Sequence, residues 1–218
     1  VAKGIKETSP NAFVICITNP LDVIVMALQK YSGFPTNKVI GMAGILDSSR
    51  FKYFLSQEIK VPVKNIKTLV LGGHGDTMVP MLGNTIIDGK SLKQFITEKR
   101  ITKEKLDEII DRTRKGGGEI NKLLEKGSAF YAPAASGIEM AESYIKNLKK
   151  TLPCAAFLNG EYGVKNIYAG VPVVIGSNGI EKVIELKLDK LEKNYFDNSI
   201  KAVRDLFEVA IKIDQELK

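Results

Sequence analysis

The stretch AFVICITNPLDVIVMALQKYSG, residues 12–33, decides how the rest of the chain is read. Ala12 to Ile17 is an unbroken apolar run, the pattern of a strand covered on both faces. It stops at Thr18-Asn19-Pro20, where Asn19 suits a helix cap and Pro20 a first turn, and apolar residues then recur at helical spacing as far as Gly33. A strand, a tight turn and a helix therefore follow one another without a linker.

The same grammar continues on both sides. Lys38 to Ile40 predicts a second strand, Gly41-Met42-Ala43-Gly44 a turn, and the residues from about Leu46 to Ile59 a helix. A third strand, Thr68 to Leu71, runs into Gly72-Gly73-His74-Gly75-Asp76. Alternating strands and helices predict a parallel α/β sheet, whose ligands bind beyond the carboxyl ends of its strands. Polar clusters stand at each of those ends. After Asp76 the pattern changes to a hairpin at Thr85–Lys90, a helix from Thr102 to about Lys126 and another around Ala134 to Asn147. Strand-like runs follow at residues 152–160, 167–176 and 182–188, and an amphipathic helix from about Leu191 closes the chain. The fold class expected is α/β, a parallel part over residues 1–76 and an α+β part with an antiparallel sheet over residues 77–218.

Composition bounds the function. With 218 residues, 44% hydrophobic and 26% charged, the chain has globular composition rather than that of a disordered tail. It contains no apolar run of the roughly 20 residues a membrane crossing needs, and VAKGIKETSPN lacks the basic-then-apolar order of a secretory signal. A soluble, cytoplasmic protein is expected. Cys16 and Cys154 lie in apolar runs, and two cysteines with one histidine supply neither a zinc site nor a disulfide framework, so no metal is expected. The net charge of +7 comes from scattered lysines, without the basic run or aromatic interleaving of a nucleic-acid binder, though it is compatible with steering a small dianionic substrate.

Chemistry is concentrated in few residues. His74, the only histidine, sits among glycines whose missing side chains allow close approach of a ligand or of another backbone. Asp47 and Arg50 are three apart and share a helix face. They read either as an intrahelical ion pair or as separate functional groups, a carboxylate to fix an imidazole tautomer and a planar fork for a substrate carboxylate. Asn19 reads equally as a cap or as a ligand-contacting amide. Gly116 to Gly118 mark a kink or a close helix crossing. No GxGxxG fingerprint and no Walker loop occur.

In order, ITNPLD (17–22), GMAGILDSSRF (41–51), GGHGD (72–76), GSAFYAPAASG (127–137) and GVPVVIGSNGIE (170–181) resemble the lactate/malate dehydrogenase family, most closely its bacterial malate dehydrogenase branch. The resemblance implies the C-terminal part of a Rossmann-like parallel sheet joined to an α+β substrate-binding domain. It also implies NAD as cofactor, a small dicarboxylate substrate, a homo-oligomer (dimer or tetramer), and a place in the tricarboxylic acid cycle. By the same resemblance, His74 is the proton acceptor and donor, Asp47 orients it, Arg50 binds the substrate C1 carboxylate, Asn19 contacts substrate and cofactor, and Ile17 lies against the cofactor. The glycine-rich turn and the mobile specificity loop of the family are not found in this sequence. The expectation is a chain short by about one nucleotide-binding half, inactive without it. APAAS, with Ala132 where lactate dehydrogenases commonly show Thr, resembles the malate branch. Lactate dehydrogenase is the alternative, as is a catalytically silent fragment or pseudoenzyme acting through association. An NAD-dependent glycosidase relative ranks last, because its metal-ligating Cys and His are not suitably placed.

Overall fold

Residues 12–33 fold as the strand and helix their pattern predicts. In the computed structural model, which describes residues 1–218, helix α1 (Ala2–Thr8) leads into strand β1 (Val14–Cys16) and helix α2 (Leu21–Ser32). Pro20, not Asn19, occupies the N-cap position of α2, and no side chain caps it. Pro20 has no N–H to satisfy, and its carbonyl accepts the first helical hydrogen bond, from Ile24. The capping role read for Asn19 is thus not realised, which leaves its amide free.

Strand β2 (Val39–Gly41) pairs parallel with β1, Val14 opposite Val39 and Cys16 opposite Gly41. Helix α3 (Gly44–Ile59) follows, then the short strands β3 (Ile66–Lys67), β4 (Val70–Leu71), β5 (Val79–Pro80), β6 (Ile86–Ile87) and β7 (Lys90–Ser91). The third strand expected in the parallel sheet does not join it. β4 pairs antiparallel with β5, and Gly72, at φ 85°, turns the chain to bridge Gly170. Only β1 and β2 are therefore parallel. The hairpin expected at Thr85–Lys90 is present as β6 and β7, joined through Asp88 and Gly89 with φ of 49° and 79°.

The second portion contains α4 (Leu92–Thr97), α5 (Lys103–Leu124), α6 (Tyr131–Ile145), β8 (Lys150–Asn159), β9 (Lys165–Gly176), β10 (Gly179–Val183) and α7 (Lys190–Ile213). The last strand lies earlier than residues 182–188: a register shift between Ile180 and Lys182 disturbs the ladder, which ends at Val183. The parallel pair and the antiparallel strands are parts of one sheet, ordered β1-β2-β8-β9-β10, with Gly41 of β2 opposite Ala155 of β8.

That sheet carries a core of 31 buried residues, and a second cluster of 13 lies among α3, α4 and α5. α3 belongs to both, through Ile45 and Leu46 on one side and Phe51 and Leu55 on the other. Each such side chain contributes about 1.5–3 kcal/mol when fully buried. The helical turn bearing Asp47 and Arg50 is consequently pinned between two cores. No helix is long and apolar enough to cross a membrane.

Candidate active site

Three chain reversals bring their polar residues to one place: the link from β1 to α2, the first turns of α3, and the loop after β4. His74 Nδ1 lies 2.8 Å from Asp47 Oδ2, with the two side chains only 12% and 2% exposed. No other group in the chain hydrogen-bonds to the ring, so Nε2 is left for a ligand. A cavity of about 450 Å³ opens beside it, lined by Ile17, Asn19, Arg50 and His74 and closed on the far side by Gly117, Ala129 and Pro133. An adjoining hollow of about 280 Å³ shares Asn19, Arg50 and His74 and adds Arg114. The residues singled out in the sequence, Ile17, Asn19, Asp47, Arg50 and His74, thus converge on one site.

Arg50 makes a long i,i+3 ion pair with Asp47 within α3, but not one that occupies its hydrogen-bond donors. Its Nη1 is 3.8 Å from Asp47 Oδ1, beyond hydrogen-bond reach, and its donors remain available to the cavity. The glycines of α5 explain how it fits. A Cβ built on Gly116 would lie 3.0 Å from Arg50 Cδ, and one on Gly117 3.8 Å from each terminal nitrogen. The glycine run does not kink α5, which is continuous; it marks a close crossing with α3, where Gly116 and Gly117 leave a groove for the Arg50 guanidinium.

The electrostatics favour an imidazolium. Burial opposes the charged ring, but the charge and hydrogen bond of Asp47, with a further contribution from Asp22, outweigh it and raise the His74 pKa above its ordinary value. Burial lowers the Arg50 pKa, with Asp47 opposing.

Two supports were not foreseen in the sequence. Asp22 Oδ2 accepts a hydrogen bond from the His74 backbone N–H at 2.7 Å, and Ser199 Oγ accepts one from the neighbouring Gly73 N–H at 2.8 Å. α7 approaches this loop so closely that a Cβ on Gly72 would lie 2.5 Å from Ser199 Oγ and one on Gly73 2.6 Å from Val203 Cγ2. Those two glycines admit a helix, whereas a Cβ on Gly75 would meet nothing within 4 Å. Asp22 stood in the quoted ITNPLD motif but reads there as an ordinary acidic residue in a first helical turn. Arg114 shares a helix face with Gly117 and Gly118 at i+3 and i+4, a signal that was legible; Ser199 offered none. Ala132 is exposed, and it is Ala129 and Pro133 that reach the cavity wall.

Residues 1–41 match the family model of the lactate/malate dehydrogenase NAD binding domain, and residues 45–212 that of the lactate/malate dehydrogenase alpha/beta C-terminal domain. The malate dehydrogenase of Pelagibacter ubique is 64% identical over 217 residues, covering 100% of this chain and 68% of the relative. The crystal structure of Cryptosporidium parvum malate dehydrogenase superposes with a TM-score of 0.93 at 47% identity, over 95% of this chain and 66% of that one. Lactate dehydrogenase from Eimeria maxima, solved with NADH and oxamate, gives a TM-score of 0.95 at 42% identity over 99% of this chain and 65% of that one. The chain spans about two thirds of the length of these relatives.

Proposed function

We propose, from the premise that this chain belongs to the lactate/malate dehydrogenase family, that its site carries the reversible NAD-dependent oxidation of (S)-malate to oxaloacetate. The observation that carries the reading is the His74–Asp47 pair at 2.8 Å, set beside Arg50 and Asn19 on one cavity.

The cavity suits the redox end of the cofactor. Ile17, 42% exposed at the end of β1, and Pro133 supply apolar walls for a flat ring, and the Asn19 amide is uncommitted to capping. NAD, when bound there, supplies the hydride acceptor in oxidation and the donor in reduction. Arg50 grips the C1 carboxylate through its planar fork, and Asn19 orients the C2 oxygen. Asp47 at Nδ1 fixes the tautomer in which Nε2 has a free lone pair, so neutral His74 takes the hydroxyl proton as malate is oxidised. In reduction the imidazolium returns that proton to the oxygen, and Asp47 stabilises the charged ring in the interval. Cytoplasmic location, assembly into a dimer or tetramer, and service in the tricarboxylic acid cycle belong to the same proposal, supported by the resemblance to malate dehydrogenases.

NADH oxidation with oxaloacetate, followed by absorbance, tests the reading. A version extended to the full length of its relatives turns over oxaloacetate, and His74→Asn in it reduces kcat by about 10²- to 10⁴-fold, the usual contribution of a general acid; unchanged turnover would sink the assignment. Solved lactate dehydrogenases of the same fold, such as that of Eimeria maxima, favour pyruvate as the second reading. A larger kcat/KM for pyruvate than for oxaloacetate would select it.

A further inference from the structure

Beside the imidazole stands a second carboxylate to which the proposed reaction gives no role. Asp22, in the first turn of α2, is only 6% exposed. Its Oδ2 accepts the His74 amide at 2.7 Å, and its Oδ1 is buried with no hydrogen-bond partner. A buried, half-satisfied carboxylate is costly, and the amide hydrogen bond alone does not call for one. The adjacent amide makes this plain: Gly73 N–H is held at 2.8 Å by a neutral hydroxyl, that of Ser199. The charge of Asp22 is the feature that needs a cause.

The groups around the ring supply it. α3 presents Asp47 and Arg50 to His74, α5 brings Arg114 to the same hollow, and α2 brings Asp22. The Cys16 thiol of β1 and Asp47 are the other titratable groups whose charge couples to Asp22. The Arg50 guanidinium opposes the charge the ring must take, Arg114 lines the adjoining hollow with its Nε donated to the Met78 carbonyl, and Asp47 is paired with Arg50 as well as with the ring.

We propose that Asp22 is a positioning residue for His74 that acts twice, holding the backbone of the loop through Oδ2 and adding a second negative charge that sustains the imidazolium against Arg50. The inference rests on the reading of His74 as the proton carrier, but its test does not use substrate. His74 is the only histidine, so its Cε1–H NMR resonance titrates without overlap.

Asp22→Asn keeps an oxygen for the His74 amide and removes the charge. The titration midpoint of His74 falls by about half a pH unit or more, roughly a threefold loss of proton affinity. Ser199→Ala, which removes a neutral acceptor from the next amide, moves it by less than about 0.2 pH unit, because no charge is lost. An unmoved midpoint in Asp22→Asn overturns the proposal, as does an equal shift in both variants. If Asp22→Asn does not fold, the His74 amide proton of the unsubstituted chain decides: its shift shows an inflection separate from that of the ring, from ionisation of Asp22, and absence of that inflection overturns the coupling. A fallen midpoint, together with no oxidation of NADH by oxaloacetate in a version extended to the full length of its relatives, would reject the reaction and keep the inference.

Discussion

His74 carries a carboxylate on its ring nitrogen and another on its backbone, and that arrangement fixes the direction of its pH dependence. Its pKa lies above the ordinary 6.5 or so because Asp47 outweighs burial. Reduction of oxaloacetate needs the imidazolium, so kcat/KM is level at low pH and falls as pH rises through the raised pKa; malate oxidation needs the neutral ring and rises across the same interval. Asp47→Asn removes the chief stabiliser of the cation, so both inflections move to lower pH, and pH profiles in the two directions measure the shift. A profile that keeps its inflections in that variant would detach Asp47 from the ring. Arg50 obeys a different constraint. Arg50→Lys retains the charge but loses the planar pair of donors, a loss of one or two charge-assisted hydrogen bonds. KM for oxaloacetate is expected to rise about 10- to 100-fold, measured by initial rates.

At the scale of elements, α5 shows a helix shaped for a side chain that another helix carries. Ordinarily Gly→Ala inside a helix gains up to about 1 kcal/mol. At Gly116 the added methyl would sit 3.0 Å from Arg50 Cδ, tight enough that the guanidinium stem must give way. Gly116→Ala is therefore expected to raise KM for the carboxylate substrate several-fold with no gain in Tm, whereas Gly118→Ala, whose Cβ meets nothing within 4 Å, raises Tm. Thermal melts and initial rates on the pair separate the two effects. The same elements show what a sequence discloses. β1, α2, β2, α3 and the long α7 announce themselves by local periodicity, and residue chemistry at the element ends singles out His74, Asp47 and Arg50, while the roles proposed for them come from the family resemblance. The failures have a common origin in contacts remote along the chain. β4 stays out of the parallel sheet where Gly72 bridges Gly170, the helix that crosses α5 at Gly116 and Gly117 is α3, which the glycines themselves do not name, and Ser199 reaches the His74 loop from a helix more than a hundred residues away. No window of sequence contains both partners of such a contact. Asp22 escaped for the opposite reason, since its local setting offered a sufficient but incomplete explanation.

For the whole molecule, the site is a cost borne by the fold, and pH exposes it. Asp22 is pushed up to about 6 from an ordinary value near 3.8, chiefly by burial, with the His74 amide and ring opposing. Between those two values the folded chain binds more protons than the unfolded one, so the contribution of Asp22 to stability falls as pH rises through the interval, by an upper limit of about 3 kcal/mol. His74, whose pKa is raised, contributes stability that is present below its ordinary pKa and is lost as pH rises through the folded value. Asp22→Asn cannot titrate and also lowers the His74 pKa. Both changes act in one direction: the Tm of the variant relative to the unsubstituted chain rises steadily from about pH 4 to pH 7.5. The amide group introduced by the substitution shifts this difference by a constant amount, leaving its slope intact. Calorimetric melts of the two proteins at matched ionic strength read that slope directly. A pH-independent difference would mean that Asp22 ionises in the folded chain at its ordinary value and would remove the cost to the fold, whereas a slope of one full proton persisting to pH 7.5 would mean that the carboxylate is still protonated there and would remove the second negative charge beside the imidazole.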